Sequence, residues 1–164
     1  MKNKLLILLF VFTLQTSFAG YKDGISVVRA YTGYGLNYNY FLTPQTILDF
    51  DLLTRYEFGE LGAYFAGYYG KSKSLWDNNL KKTGVNLLYS AGFHVGYYRE
   101  WDKDPLERNF IFGPSLKTGL EYIARKHLAL GAYIRPYYSV VHTSDIHKPL
   151  GFLDGGIYLK VIIK

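Results

Sequence analysis

The chain has 164 residues and a mass of 18.8 kDa, room for one domain around a single core. Seventeen Tyr, 11 Phe, 2 Trp, 17 Gly and no Cys, with only 20% charged residues, exclude a disordered chain, a disulfide scaffold and a helical bundle. A mean hydropathy of −0.04 at 49% apolar content means that apolar and polar residues are interleaved, which excludes a polytopic helical membrane protein; the net charge is +6.

The first segment reads as an address. Lys2 and Lys4 precede an apolar stretch from Leu5 to Leu14, a polar step at Gln15 and Thr16, and then Ser17-Phe18-Ala19. Small residues at the first and third places before a cut after Ala19 suit signal peptidase, so residues 1–19 are expected to be a cleaved export signal and 20–164 the mature domain. The apolar stretch is about half of the ~20 residues a membrane-spanning helix needs. No cysteine follows it, so a lipoprotein anchor is not available. Losing Lys2 and Lys4 lowers the charge from +6 to +4, and the basic residues that remain are not clustered on one helix. Nucleic acid is therefore not an expected partner.

From Gly24 onward the chain alternates with period two, the signature of strands. Over 47–58, Leu48, Phe50, Leu52, Thr54, Tyr56 and Phe58 oppose Asp49, Asp51, Leu53, Arg55 and Glu57. Over 85–98, Leu87, Tyr89, Ala91, Phe93, Val95 and Tyr97 face away from Asn86, Ser90, Gly92, His94 and Gly96. Phe110, Phe112, Pro114, Leu116, Leu120 and Tyr122 oppose Gly113, Ser115, Lys117, Gly119 and Glu121. Leu128, Leu130, Ala132, Ile134, Tyr138 and Val140 oppose Gly131, Tyr133, Arg135, Tyr137 and Ser139; at the end, Ile157, Leu159, Val161 and Ile163 oppose Tyr158, Lys160, Ile162 and Lys164.

Alternation alone fits both a soluble barrel and a membrane barrel. The polar face decides, because it mixes Gly, Ser, Asn and Tyr with a few ions of both signs, where a water-facing side would be dense in Lys and Glu. Small residues and neutralised charges suit a narrow interior. The apolar faces carry Phe58, Phe110, Tyr122, Tyr138 and Tyr97 toward their ends, as aromatic girdles require, and runs of 12 to 15 residues exceed the ~9–11 of a tilted crossing strand.

Breaks fall at Thr32 to Gly35, Thr43 to Thr46, Gly59-Glu60, Lys71 to Thr83, Trp101 to Asn109, Arg125 to His127 and His142 to Pro149. If Gly33 and Gly35 mark a tip the strands number eight, over 25–31, 36–42, 47–58, 61–70, 84–99, 110–124, 128–141 and 151–163. Reading 25–42 as one bent strand gives seven. Even numbers are the bacterial rule, so the expectation is an all-β, eight-stranded, antiparallel up-and-down transmembrane β-barrel, monomeric, with both chain ends in the periplasm. The loops after Arg99 and Val141 are then outside the cell, and 71–83 becomes a long Lys-rich periplasmic connection.

The runs Gly35 to Thr43, Tyr89 to Tyr98 and Gly113 to Tyr122 resemble the small outer-membrane β-barrel proteins common in Bacteroidota and the OmpX/OmpA-type barrels. The resemblance covers essentially the whole mature chain. It implies the outer membrane of a Gram-negative bacterium, contact with its lipid and with the barrel-insertion machinery during assembly, and a porin-like fold without an assigned activity. The chain departs from that pattern in ending Ile162-Ile163-Lys164 where such barrels end in an aromatic residue.

Several constellations are candidates for chemistry. Arg29, Arg55, Lys117, Arg135 and Lys160 with Asp49, Asp51, Glu57 and Glu121 form a nearly balanced set on the polar face. Inside eight strands such a set is expected to be a salt-bridge plug without appreciable conductance; an ion or small-solute pathway is the alternative. His94, on the same face, is expected to be a hydrogen-bonded packing histidine. His142 and Ser144, with Asp154 as the acid, contain the His-x-Ser pair of outer-membrane lipid A deacylases, and a His oriented by a carboxylate can activate a Ser. Asp145 stands where that enzyme pattern has Asn, so the triad is the weaker reading and the enzyme class an alternative. No metal or cofactor is expected, since His142, Asp145 and His147 share a loop that sets no coordination geometry. Lys71, Lys73, Lys81 and Lys82 around Trp76 form a basic segment able to meet anionic lipid headgroups or to be a plain turn, and Trp101 is a candidate contact for an external partner. A structural or interaction role through the outer loops is thus the leading expectation, with a lipid A or phospholipid-modifying enzyme behind it.

Overall fold

The computed structural model describes residues 23–31, 33–57, 60–78, 83–100, 108–125, 127–139, 141–142 and 153–163. Its strands are β1 (Gly24–Ala30), β2 (Gly33–Phe41), β3 (Thr46–Glu57), β4 (Glu60–Asn78), β5 (Thr83–Glu100), β6 (Arg108–Arg125), β7 (Leu128–Pro136) and β8 (Leu153–Ile162). Val141–His142 pairs with β6 in line with β7, the register advancing by one residue between the Ser115–Tyr137 bridge and the Phe112–Val141 pair. Each strand pairs antiparallel with the next, and β8 returns to β1, so the sheet closes on itself. The protein is an all-β, eight-stranded, antiparallel up-and-down barrel.

Residues 25–42 form a hairpin, closed at its tip by the Ala30–Gly33 pair. At the other end of the barrel, Thr43 makes the β2–β3 turn: its Oγ1 accepts from the Thr46 amide at 3.0 Å, and the Leu42 amide donates to the Thr46 carbonyl at 3.0 Å. The expected long connection at 71–83 is corrected. Lys71 to Asn78 continue β4 and pair with β5 as far as Asn78–Thr83. Their Lys-Ser-Lys-Ser composition reads as a turn only while the partner strand is unknown.

Followed from partner to partner around the wall, Ser72 leads through Leu88, Gly119, Tyr133, Gly156, Ala30, Gly33 and Arg55 to Gly62, back on β4 and ten residues from the start. That stagger in eight strands inclines them about 40° to the axis. The lumen is then just wide enough for side chains, and what fills it is set by strand parity. Inside lie the small residues Ser26, Ala30 and Ala66, the aliphatic Val28, Leu53 and Ile111, and the large Tyr64, Tyr68, Tyr133 and Tyr158. Outside lie Val27, Leu36, Leu52, Phe65, Phe93, Leu116, Ile134 and Ile157, with Phe93 60% and Ile157 63% exposed.

Candidate functional site in the barrel lumen

The polar residues of the main lumen cluster come from five strands, and its ions from four of them. Asn37 on β2, Asp49 and Asp51 on β3, Lys117 on β6, Arg135 on β7 and Asp154 on β8 occupy inward positions fixed by the alternation of their strands. The Lys117 ammonium bonds Asp49 Oδ2 at 3.0 Å and Asp51 at 2.8 and 3.0 Å. Arg135 Nη1 donates to Asp51 Oδ2 at 3.3 Å, and its Nη2 donates to Asp154, the residue opposite it on β8. Asn37 Nδ2 bridges the two β3 carboxylates, donating to Asp51 Oδ1 at 2.8 Å and to Asp49. Because β3 and β7 are four strands apart in a ring of eight, the Arg135–Asp51 pair crosses the full diameter of the lumen.

Aromatic rings complete the packing around these cations. The guanidinium of Arg135 lies 4.4 Å from the centre of the Tyr64 ring, and the Lys117 ammonium 4.7 Å from that of Tyr133. A second cluster sits nearer the chain ends, where Lys160 pairs with Glu121 and the Tyr158 hydroxyl donates to Glu121 Oε2 at 3.0 Å. All seven ions are buried, and Asp51 is fully so. Three cations against four anions leave little net charge, and the multiple bonds to each carboxylate are what make ions tolerable away from water. A cavity of about 20 Å³ adjoins Lys117, lined by Asn37, Asn39, Asp49, Ser90 and Tyr133 among others. That is space for about one water molecule.

The sequence set is thus brought together in part. Asp49, Asp51, Lys117, Glu121, Arg135 and Lys160 meet in the lumen. Arg29 does not: it faces outward from β1, its guanidinium 4.0 Å from the centre of the Tyr34 ring on β2. Parity explains the correction, since Ser26, Val28 and Ala30 are the small or compact residues that fit against Leu53 and Tyr64, and Arg29 lies on the face of Ile25 and Val27. Asp154, the acid of the candidate triad, is committed to Arg135 in the lumen. The side chains of Arg55, Glu57 and His142, and the residues Trp101 and Ser144, lie outside the described residues. Trp76 is on the lower part of β4 and half exposed.

His94 is buried and corrected in its bonding: neither ring nitrogen has a hydrogen-bond partner among the described residues. It is held instead by rings, stacked on Tyr64 at 5.4 Å and edge-on to Tyr137 at 5.2 Å. Among the described residues no group of three or more His, Cys, Asp and Glu is placed to hold a metal ion. The site residues that sequence reasoning passed over are Asn37, Tyr64, Tyr133 and Asp154 in its lumen role. Asp154 has the parity of Tyr158 and Lys160, a signal that was sufficient to place it inside.

No protein-family model matches the chain, and no curated protein matches it. Solved structures do. The crystal structure of the N-terminal β-barrel domain of Pseudomonas aeruginosa OprF superposes with a TM-score of 0.69 at 16% identity, covering 87% of this chain and 97% of that one. Neisserial surface protein A superposes with a TM-score of 0.52 at 12% identity, over 87% and 94% of the two chains. The fold is that of the small eight-stranded outer-membrane barrels. At these identities the likeness is one of fold.

Proposed function

We propose that this chain is an exported, monomeric, integral outer-membrane barrel of a Gram-negative bacterium, of the OmpX/OmpA-like kind, with a sealed lumen and a structural or interaction role. The observation that carries the reading is the inversion of its two faces: ions are paired inside while Val27, Leu36, Phe93, Leu116, Ile134 and Ile157 stand outside. In water such a belt far exceeds the few hundred Å² of contiguous apolar surface that soluble monomers expose. Surrounded by lipid, it is the solvated face. The export signal read from residues 1–19 and the fold neighbours support the same location.

The sealed-lumen reading is supported by the Arg135–Asp51 pair across the diameter and by the Tyr64 ring against Arg135. Strands β4, β5 and β6 hold 18 to 19 residues, well beyond the ~9–11 of a crossing, so the paired β5–β6 ribbon continues past the bilayer up to Arg99–Arg108. A ribbon that leads into residues 101–107, Trp101 among them, suits contact with an external partner. Against a lipid A-modifying role for His142 and Ser144 stands Asp154, whose carboxylate is used by Arg135.

Three measurements test this. The mature protein is expected in the outer-membrane fraction, beginning at Gly20, and to migrate differently boiled and unboiled; a soluble periplasmic protein with one mobility refutes the membrane reading. In planar bilayers no stable conductance is expected, and large, stable openings would move the function to a small-solute pore. Lipid A mass profiles are expected to be the same with and without the gene; an acyl-chain change that depends on Ser144 would establish the enzyme.

A further inference from the structure

The lower ends of β4 and β5 run past the rest of the barrel. β3 starts at Thr46, opposite Lys71, and the Ser72 amide donates to the Gln45 carbonyl at 2.8 Å. Beyond that point β4 is paired, among the described residues, on one side only, to β5, as far as Asn78–Thr83. With a rise of about 3.3 Å per residue and a tilt of about 40°, this ribbon reaches roughly 15 Å below the Lys71–Thr46 pair.

Its register is broken once. Ser74 pairs with Asn86, but Trp76 pairs with Val85, so Leu75 is an extra residue, a β-bulge. Uninterrupted alternation would put Trp76 on the inner face with Ser72. The bulge instead puts it in one row with Val85 and Tyr122, on the outer face where Lys71 stands beside Tyr89 and Lys73 beside Leu87. Asp77 is moved to the opposite face, next to Gly84. Two ammonium groups and an indole are thereby gathered, all exposed, directly below the apolar belt and the rings of Tyr69 and Tyr89, with the ribbon's acid turned away.

We propose that this outer face of the ribbon, through Lys71, Lys73 and Trp76, binds the anionic headgroups of phospholipids in the periplasmic leaflet. The inference rests on the membrane reading above. Its basis is charge complementarity at a fixed depth: an indole belongs at the headgroup boundary, and each Lys near an anionic surface adds attraction that falls off within a Debye length. A plain solvated turn has no need of a bulge that carries a Trp out of the inner face and an Asp into it.

The test uses the mature chain carrying Trp101→Phe, so that Trp76 is the sole tryptophan. It is inserted into vesicles containing either brominated phosphatidylglycerol or brominated phosphatidylcholine at equal mole fraction, and heat-modifiable gel mobility is recorded for each variant. Trp76 fluorescence is expected to be quenched more strongly by the anionic lipid. Lys71→Gln with Lys73→Gln should reduce that preference by roughly 30-fold, from two Lys contributions. Equal quenching by both lipids, or protection of Trp76 from both as a protein partner would give, overturns the proposal while leaving the barrel in its membrane. Failure of the parent chain to show the mobility shift overturns the membrane reading itself, and this inference with it.

Discussion

The phenol ring of Tyr158 on β8 lies directly over Gly131 on β7, where a Cβ would stand 2.1 Å from Tyr158 Cζ. Gly131 also pairs with Glu121 on β6. The glycine is thus a gap in the inner wall through which Tyr158 reaches across a whole strand to give Glu121 its 3.0 Å hydrogen bond. Gly131→Ala is expected to push the ring aside and destabilise the barrel by about 2.5–6 kcal/mol, the range of overpacking plus a lost bond to a charged group. Tyr158→Phe alone should cost about 1.5–3 kcal/mol, because the acceptor is a charged group. In the Gly131→Ala background it should cost less than about 0.5 kcal/mol, since the bond is already gone. Reversible urea unfolding in lipid measures this cycle, and additive effects would show that the ring does not depend on the gap.

Asp51 is where the larger cluster converges. It accepts from Lys117, Arg135 and Asn37 with no exposure to solvent. Asp51→Asn leaves two buried cations short of an anion and is expected to cost about 3–5 kcal/mol, the range for breaking a buried pair from one side. Asp49→Asn should cost clearly less, because Lys117 keeps Asp51. The same unfolding titration orders the two variants, and equal losses would contradict the central place of Asp51.

The period-two alternation made most of this site legible. Asp49 and Asp51 lie opposite Leu48, Phe50 and Leu52, and Lys117 and Glu121 lie opposite Leu116 and Leu120, so each strand named its own inner face. Where both parities are apolar the pattern goes silent. In Ile25-Ser26-Val27-Val28-Arg29-Ala30 only the bulk of the residues distinguishes the faces, and the charge of Arg29 pointed the wrong way. Nor does parity say which inward ions meet: the Arg135–Asp51 contact joins residues 84 apart and needs the closed ring. The bulge at Leu75 was invisible for the same reason, since it exists only relative to the partner strand.

His94 offers a test of the interior by an apolar replacement. Its imidazole is buried between Tyr64 and Tyr137 and makes ring contacts but, among the described residues, no hydrogen bond. A buried polar group without a partner is unfavourable, while ring stacking is retained by another aromatic. His94→Phe is therefore expected to leave stability unchanged or raise it by up to about 1 kcal/mol, with normal heat-modifiable mobility. A loss above 2 kcal/mol would mean that the ring nitrogens hold an interaction essential to the fold.

The sharpest contrast is between two arginines of the same chain. Arg135 is buried, bonds Asp51 and Asp154, and lies against the Tyr64 ring. Arg29 faces outward one residue from the end of β1, over the Tyr34 ring. Near an interface an outward Arg in lipid costs only about 0–1 kcal/mol, so Arg29→Leu should change stability by no more than about 1 kcal/mol, and in the favourable direction. Arg135→Leu takes the arginine's charge from both Asp51 and Asp154 in a buried cluster and should cost about 3–5 kcal/mol. Unfolding both variants in the same lipid reads the difference. If Arg29→Leu proved as damaging as Arg135→Leu, then Arg29 would have to point into the lumen, and the parity assigned to β1, together with the hairpin register that rests on it, would be wrong.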